Sequence, residues 1–402
     1  MNKELKVGIH RIEFSTPNNY LNLETLANAH NIDPAKYIYG IGQSKMAVPT
    51  PDEDTISIAA NAAQDLLDSI SPDDIKNIST LIFATESGVD QSKSGAAYLM
   101  GLIDMHSNCR AFELKQACYG GTAGVQMACD MVRTRPEESV LVVACDIARY
   151  QQDTPGECTQ GAGAVAMLIA ANPDVIEIDA ERGFHSEDIM DFWRPNDFKH
   201  ALVDGELSKD AYLNVMVDSY ESYLTNGGQT LNNLDWLCFH QPFTKMAKKA
   251  YEHLSAIYPE QMQEKADTTY TISQQYGREI GNTYTASLYI GLLSLLDNAD
   301  TDLTGQKIGF FSYGSGAVGE FFSGTVNKNY RKVTNKQGNQ SKLANRQALS
   351  YDTYSQYMYQ LREYNQPNQR YNVSSNANFR LAAINNNKRV YERVFNQMSR
   401  AA

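Results

Sequence analysis

The chain has 402 residues, room for two to three domains or one large α/β body. Its 35 Lys and Arg against 47 Asp and Glu leave a net charge of −12, which argues against nucleic acid or an anionic membrane as the main partner. Apolar residues make up 42%, yet no run approaches the roughly 18 that a spanning helix needs.

In chain order, residues 1–6 carry charge without an apolar signal core, so a cytoplasmic protein is expected. Short β-branched runs predict strands over 7–13, 80–84, 140–145, 164–169, 175–179, 236–239 and 308–312. Between them, helical periodicity predicts helices over 22–30, 55–70, 120–133, 209–225, 245–256 and 286–297. Such alternation is the signature of an α/β fold. The six cysteines, Cys109, Cys118, Cys129, Cys145, Cys158 and Cys238, contain no C-x-x-C pair, so neither a disulfide frame nor a zinc site is expected.

The pattern also repeats. Gly161-Ala162-Gly163-Ala164-Val165-Ala166 returns as Gly314-Ser315-Gly316-Ala317-Val318-Gly319, an offset of 314 − 161 = 153. Ile78-Ser79-Thr80-Leu81-Ile82-Phe83-Ala84 reads against Leu234-Asp235-Trp236-Leu237-Cys238-Phe239-His240, an offset of 234 − 78 = 156. Two matches at nearly one spacing predict a duplicated half, residues 1–172 and then 173–326. Residues 327–402 differ in texture, with 13 Lys or Arg against 3 acids. Over 343–364 aromatic and aliphatic spacing predicts a helix docked on the second half. The Asn-rich pieces at 366–378 and 385–387 lack apolar period and read as solvated or disordered.

Three positions could carry chemistry. Cys118, in Gln116-Ala117-Cys118-Tyr119-Gly120-Gly121, falls on a strand-to-helix turn where unpaired N–H groups and the helix dipole favour thiolate. A structural thiol is the alternative. Glu86 follows an apolar strand, where ligands of α/β sheets gather and partial desolvation suits a carboxylate to base catalysis; an exposed loop glutamate is the alternative. His240 ends the corresponding strand of the second half, so related halves would bring it toward the same cleft, although a buried structural histidine reads equally well. The loops 281–287 and 312–317 offer backbone and short side-chain donors to a carbonyl oxygen. Lys245 and Lys249 share a helix face that could meet phosphates.

Together these residues resemble the hydroxymethylglutaryl-CoA synthases, of the shorter bacterial type, within the thiolase-fold superfamily. The likeness runs through Gly40-Ile41-Gly42-Gln43-Ser44-Lys45-Met46, Ala84-Thr85-Glu86-Ser87, the Cys118 motif, Thr159-Gln160-Gly161-Ala162-Gly163-Ala164, Phe239-His240-Gln241-Pro242, Gly281-Asn282-Thr283-Tyr284 and Ser312-Tyr313-Gly314-Ser315-Gly316, in the family's order. It implies a duplicated thiolase-like α/β fold layered α-β-α-β-α. It implies acetyl transfer from acetyl-CoA to Cys118, proton abstraction by Glu86, and polarisation of the acetoacetyl-CoA carbonyl by His240, giving HMG-CoA. Asp33, Thr159, Ser208, Lys245, Lys249, Asn282 and Ser315 are implied as CoA or product contacts, and Asp146, Tyr150, Asp191 and Phe192 as walls of the acyl pocket. Cys158 departs from the proline expected before Thr159. The resemblance implies no metal or separate cofactor, since CoA arrives as substrate, and it implies a homodimer. Alternatives are an initiating ketoacyl synthase, for which Glu86 is superfluous, and a non-catalytic scaffold binding CoA esters.

Overall fold

Five apolar runs of the first half become β1 (Val7–Ser15), β2 (Ile78–Ala84), β3 (Arg110–Leu114), β4 (Ser139–Ile147) and β5 (Ala162–Ala171). Four more follow as β6 (Ile176–Ser186), β7 (Trp236–Phe239), β8 (Lys307–Gly314) and β9 (Val318–Val326). The computed structural model describes residues 5–263, 265–361 and 366–394. In it the strands form one mixed sheet in the order β7-β8-β9-β6-β1-β5-β4-β2-β3. Outward from the β1/β6 seam, β1-β5-β4-β2 matches β6-β9-β8-β7: two antiparallel pairings, then a parallel one, on each side. The seam is itself antiparallel, Gly8 beside Glu177 and Ile9 beside Ile176. The internal echo is a duplicated fold.

Side-chain alternation along the strands assigns the helices α1 (Thr55–Asp68), α2 (Gly120–Thr134), α3 (Gly205–Thr225), α4 (Met246–Ile257) and α5 (Ser287–Asn298) to layers. On β4, Ala144 faces Gly121 of α2, while its neighbour Cys145 points to Ala59 of α1. On β8, Phe310 stacks on Phe322 with centroids 4.9 Å apart in the core shared with α5 and the first half. Phe311 and Tyr313 turn the other way, onto Tyr212 of α3, in a second core. The Tyr289 hydroxyl of α5 donates to Thr122 of α2 at 3.1 Å. From one outer face to the other the order is α1, first-half strands, α2 with α5, second-half strands, α3: an α-β-α-β-α arrangement.

Two elements run longer than expected. β6 continues to Ser186 although Asp179-Ala180-Glu181-Arg182 breaks its apolar run, because β9 pairs with it as far as Val318 beside Ser186. α3 starts at Gly205, where the Asp204 side chain accepts the Leu207 N–H.

The extension departs from expectation. In place of one helix over 343–364 the chain forms α6 (Lys336–Ala344) and α7 (Tyr351–Ser355), then β10 (Asn368–Arg370), β11 (Phe379–Asn385) and β12 (Lys388–Arg393). Residues 362–364 and 395–402 lie outside the described residues. The extension's contacts with the second half include Asn339 to Asp297, Arg346 to the Glu279 carbonyl and the Tyr359 ring against His200, centroids 5.9 Å apart. It also docks on the first half, where it meets acidic groups: Lys342 meets the buried Glu13 and the partly exposed Asp65, Arg389 and Tyr391 meet the buried Asp54, and Ser374 and Ser375 donate N–H groups to the buried Asp52. The Asn-rich 385–387 piece is ordered as a hairpin turn: Asn385 pairs with Lys388, and Asn386 and Asn387 take φ of +49° and +62°, the two-residue turn Asn adopts readily. Among the described residues no helix is long and apolar enough to cross a membrane.

Candidate active site

β3 delivers the chain to a tight turn before α2, and Ala117 there adopts φ of +43°, a left-handed conformation costing an alanine roughly 1–3 kcal/mol. That strain is held by close approach from the second half. A Cβ on Gly121 would fall 2.3 Å from the Thr285 carbonyl oxygen, and one on Gly314 would fall 2.7 Å from the Tyr119 nitrogen. The turn aims the Cys118 thiol at the loop following β2, where Sγ lies 3.1 Å from Glu86 Oε1.

Both groups hold their protons tightly. Burial first, then the nearby Asp146 carboxylate, raises Glu86 to about 8. Burial first, then Glu86, pushes the Cys118 thiol well above its ordinary value. Burial and the neighbouring carboxylates therefore oppose the thiolate that the helix terminus was expected to favour. Among the described residues, Glu86 is the acceptor hydrogen-bonded to the thiol, with a pKa of about 8.

Asp146 organises this pair from the end of β4. Its Oδ1 accepts the N–H groups of Glu86 and Ser87 and the Thr85 hydroxyl, each at 2.9 Å. Its Oδ2 accepts the N–H and hydroxyl of Thr285 at 3.1 and 2.5 Å. A fully buried carboxylate with five donors is a brace between the Glu86 loop and the second half. Arg194 adds a hydrogen bond to the Glu86 carbonyl at 2.5 Å.

His240 ends β7, 2% exposed, its backbone N–H bonded to the Phe311 carbonyl at 2.8 Å. Burial holds its imidazole neutral, with the pKa down at about 3. Ser287 Oγ lies 2.6 Å from Nδ1 and already accepts the Gln241 N–H at 3.3 Å. In the tautomer in which the Ser287 hydroxyl donates to Nδ1, Nε2–H is the ring's donor. Tyr212 joins His240 to the β8 end, its ring centroid 6.4 Å from the imidazole and 5.2 Å from Tyr313.

The other expected residues fall into linked groups. Asp191 is fully buried and accepts the Tyr313 hydroxyl at 2.8 Å, the Gly316 N–H at 2.9 Å and the Ser208 hydroxyl at 3.1 Å; Ser315 lies on that same loop. Phe192 packs edge-on between Tyr150 and Tyr284, at 6.2 and 5.8 Å. Asn282 donates its N–H to the Thr159 carbonyl at 3.1 Å, and its side chain accepts the Tyr284 N–H at 2.9 Å. Gln43 donates to the neighbouring Gln160 carbonyl at 3.3 Å. Lys245 reaches the Tyr39 carbonyl at 3.1 Å, on the segment that Asp33 opens by accepting the Ala35 N–H at 3.0 Å. Lys249 follows one turn later on α4, and no contact joins it to the Cys118 pair. The Cys158 sulfur lies 3.3 Å from the Pro155 carbonyl inside the short turn Glu157–Thr159.

Thr285, Ser287 and Arg194 escaped the sequence reading. The first two lie in the loop flagged at 281–287; Arg194 carries no local signal. One group of potential metal ligands exists among the described residues, His30, Asp153 and Glu157, with ligand atoms within 4.8 Å of one another. Glu157 is already engaged there by the Tyr354 hydroxyl at 2.8 Å and the Asp153 N–H at 2.7 Å.

Comparison with known proteins agrees with this architecture. Residues 3–174 match the model for the hydroxymethylglutaryl-coenzyme A synthase N terminal domain, and residues 176–276 and 254–385 match that for the C terminal domain. A hydroxymethylglutaryl-CoA synthase of Enterococcus faecalis is 42% identical over 87% of this chain and 91% of its own length. A crystal structure of an HMG-CoA synthase complexed with CoA superposes with a TM-score of 0.92 at 36% identity, covering 97% of this chain and all of the other. MvaS in complex with 3-hydroxy-3-methylglutaryl coenzyme A gives 0.89 at 34% identity, with the same coverage. The chain is a condensing acyltransferase of the thiolase fold. It belongs to the hydroxymethylglutaryl-CoA synthase family.

Proposed function

We propose that this protein condenses acetyl-CoA with acetoacetyl-CoA and water to give 3-hydroxy-3-methylglutaryl-CoA and CoA, the step that feeds mevalonate formation. Cys118 attacks the acetyl thioester, giving its proton to the ionised Glu86, which passes it to the departing sulfur, so that CoA leaves as the thiol and Glu86 is again a carboxylate. Glu86 then removes a methyl proton from acetyl-Cys118, and the carbanion attacks the C3 carbonyl of acetoacetyl-CoA. His240 Nε2–H stabilises the developing alkoxide, which takes up the proton from Glu86. Water hydrolyses the remaining thioester and restores the Cys118 thiol.

The observation that carries this reading is the 3.1 Å approach of Glu86 to Cys118. A decarboxylating ketoacyl synthase needs no such base. A thiolase would use a second cysteine, whereas the other five are all buried. Tyr150, Asp191, Phe192, Thr159, Ser208, Asn282 and Ser315 line the acyl and pantetheine path in this reading, and Asp33, Lys245 and Lys249 meet the nucleotide end of CoA. Six free thiols fit a reducing, cytoplasmic setting. The sheet ends at β3, whose residues 111–114 are only half-buried, an open edge suited to a second copy in a homodimer.

Incubation with labelled acetyl-CoA and peptide mass analysis tests the reaction. An acetyl adduct on Cys118, discharged by acetoacetyl-CoA, is the expected result; no adduct would favour a scaffold that only binds CoA esters. Light scattering at micromolar concentration tests the dimer, and a monomer would overturn it.

A further inference from the structure

The hairpin of β8 and β9 touches the nucleophile turn at two points. At its end Gly314 presses on the backbone of Gln116 and Tyr119, where a Cβ would fall 2.5 Å from the Gln116 oxygen. Six residues on, Glu320 stands opposite Ser312 in the hairpin and is 2% exposed. It shares a strand face with Phe322, so it points into the central layer. There it accepts the Tyr119 hydroxyl at 2.5 Å. Tyr119 directly follows Cys118. Glu320's other neighbour is Gln126 of α2, itself held by Arg182 at 3.1 Å. A carboxylate is costly to bury and is kept only where its partners return the cost. None of the steps above uses it.

We infer that Glu320 is a positioning residue for Cys118: by holding the Tyr119 hydroxyl from the second half, it keeps the turn in the strained conformation that aims the thiol at Glu86. The physical reason is the Ala117 backbone. A left-handed alanine relaxes unless its surroundings over-determine it, and Gly314, which presses on Gln116 and on Tyr119 as far as its Cβ, leaves the Tyr119 phenol to be held by Glu320. Without the phenol anchored, the turn is free to swing Sγ away from its proton acceptor. The inference rests on Cys118 as the nucleophile, so it needs a readout that works without CoA.

Alkylation of Cys118 by iodoacetamide, followed by peptide mass analysis on the full-length protein, supplies one. At about pH 8 it should slow about tenfold in Glu320→Leu, the scale of one lost hydrogen bond to a charged group, and the rise in rate through pH 8 that Glu86 imposes should flatten. Glu320→Gln keeps an acceptor for the phenol and should restore the rate to within about twofold. Tyr119→Phe should match Glu320→Leu, and the double variant should be no slower than either single, since one interaction is lost only once. In acetylation by acetyl-CoA the loss should fall on the rate constant, with KM unchanged. Unchanged alkylation in Glu320→Leu, additive losses, or failure of Glu320→Gln to restore the rate would each overturn the proposal. Where Glu320→Leu does not fold, Tyr119→Phe is compared with Tyr119→Phe/Glu320→Gln: equal rates support the proposal and unequal rates overturn it. Absence of acetylation in the parent would remove the proposed reaction while leaving the alkylation test standing.

Discussion

Cys118 Sγ lies 3.1 Å from Glu86 Oε1, and of the two groups the carboxyl, with its pKa raised to about 8 by burial, is the first to release its proton as pH rises. Acetylation of Cys118 in a single turnover should therefore rise as pH is raised through about 8, as the acceptor for the thiol proton becomes available. Glu86→Gln should erase that limb and lower the condensation rate by about 10²-fold or more. A flat profile in the parent would contradict the assignment.

The same group makes stability depend on pH. Its pKa is raised on folding, from 4.5 to about 8, so the folded state holds a proton that the unfolded chain gives up. That preference is whole below pH 4.5 and is lost as pH rises through 8. Glu86→Gln, which carries no charge at any pH, should melt above the parent near pH 9 and with it near pH 4.5. Circular dichroism melts at the two pH values give the comparison.

Ser287 separates the two half-reactions. Removing its hydroxyl leaves His240 Nδ1 without its 2.6 Å partner, which in the proposed mechanism keeps the ring proton on Nε2. Ser287→Ala should leave acetylation of Cys118 within about twofold of the parent, while condensation with acetoacetyl-CoA drops about 10- to 100-fold. Because burial holds the imidazole at about 3, no limb from His240 should appear between about pH 5 and 8. Rapid quench of each half-reaction reads both.

Tyr354 should matter although it lies in the extension. It donates to Glu157 at 2.8 Å and accepts from Gln160 at 2.8 Å, and Gln160 in turn accepts the Tyr150 N–H at 2.7 Å. Tyr354→Phe removes one of the partners of each of two buried groups, leaving Glu157 with the Asp153 N–H and Gln160 with the Tyr359 hydroxyl, and should cost about 1–3 kcal/mol by urea unfolding. If the Tyr150 loop shifts with it, KM for acetyl-CoA rises at nearly constant kcat.

What the sequence made legible was local. β-branched runs, glycine-rich turns and a carboxylate or thiol at the end of a strand declare themselves within a dozen residues, so the β2 and β4 strands could be read directly and Glu86 and Cys118 singled out as candidates. The acidity of the thiol could not, since a helix terminus is a local feature while burial depends on the whole fold. Ser287 and Thr285 are ordinary hydroxyls until His240 and Asp146 arrive from 47 and 139 residues away. The side on which the extension docks was hidden for the same reason: its charge was visible, but Asp52 and Asp54 are distinguished only by being buried. In Asn385-Asn386-Asn387, polarity obscured a turn signal that the flanking strands complete.

The docking of the last segment on the first half bears on how the protein is made. The ribosome releases β1 to β5 early, but the strands that cover α1, ending with β12 at Arg393, emerge some 220 residues later. At typical elongation rates that is roughly 10 to 40 s, during which the N-terminal half presents bare apolar surface to the cell. Nascent chains stalled before residue 379 should therefore be held by chaperones, and those released beyond it should not.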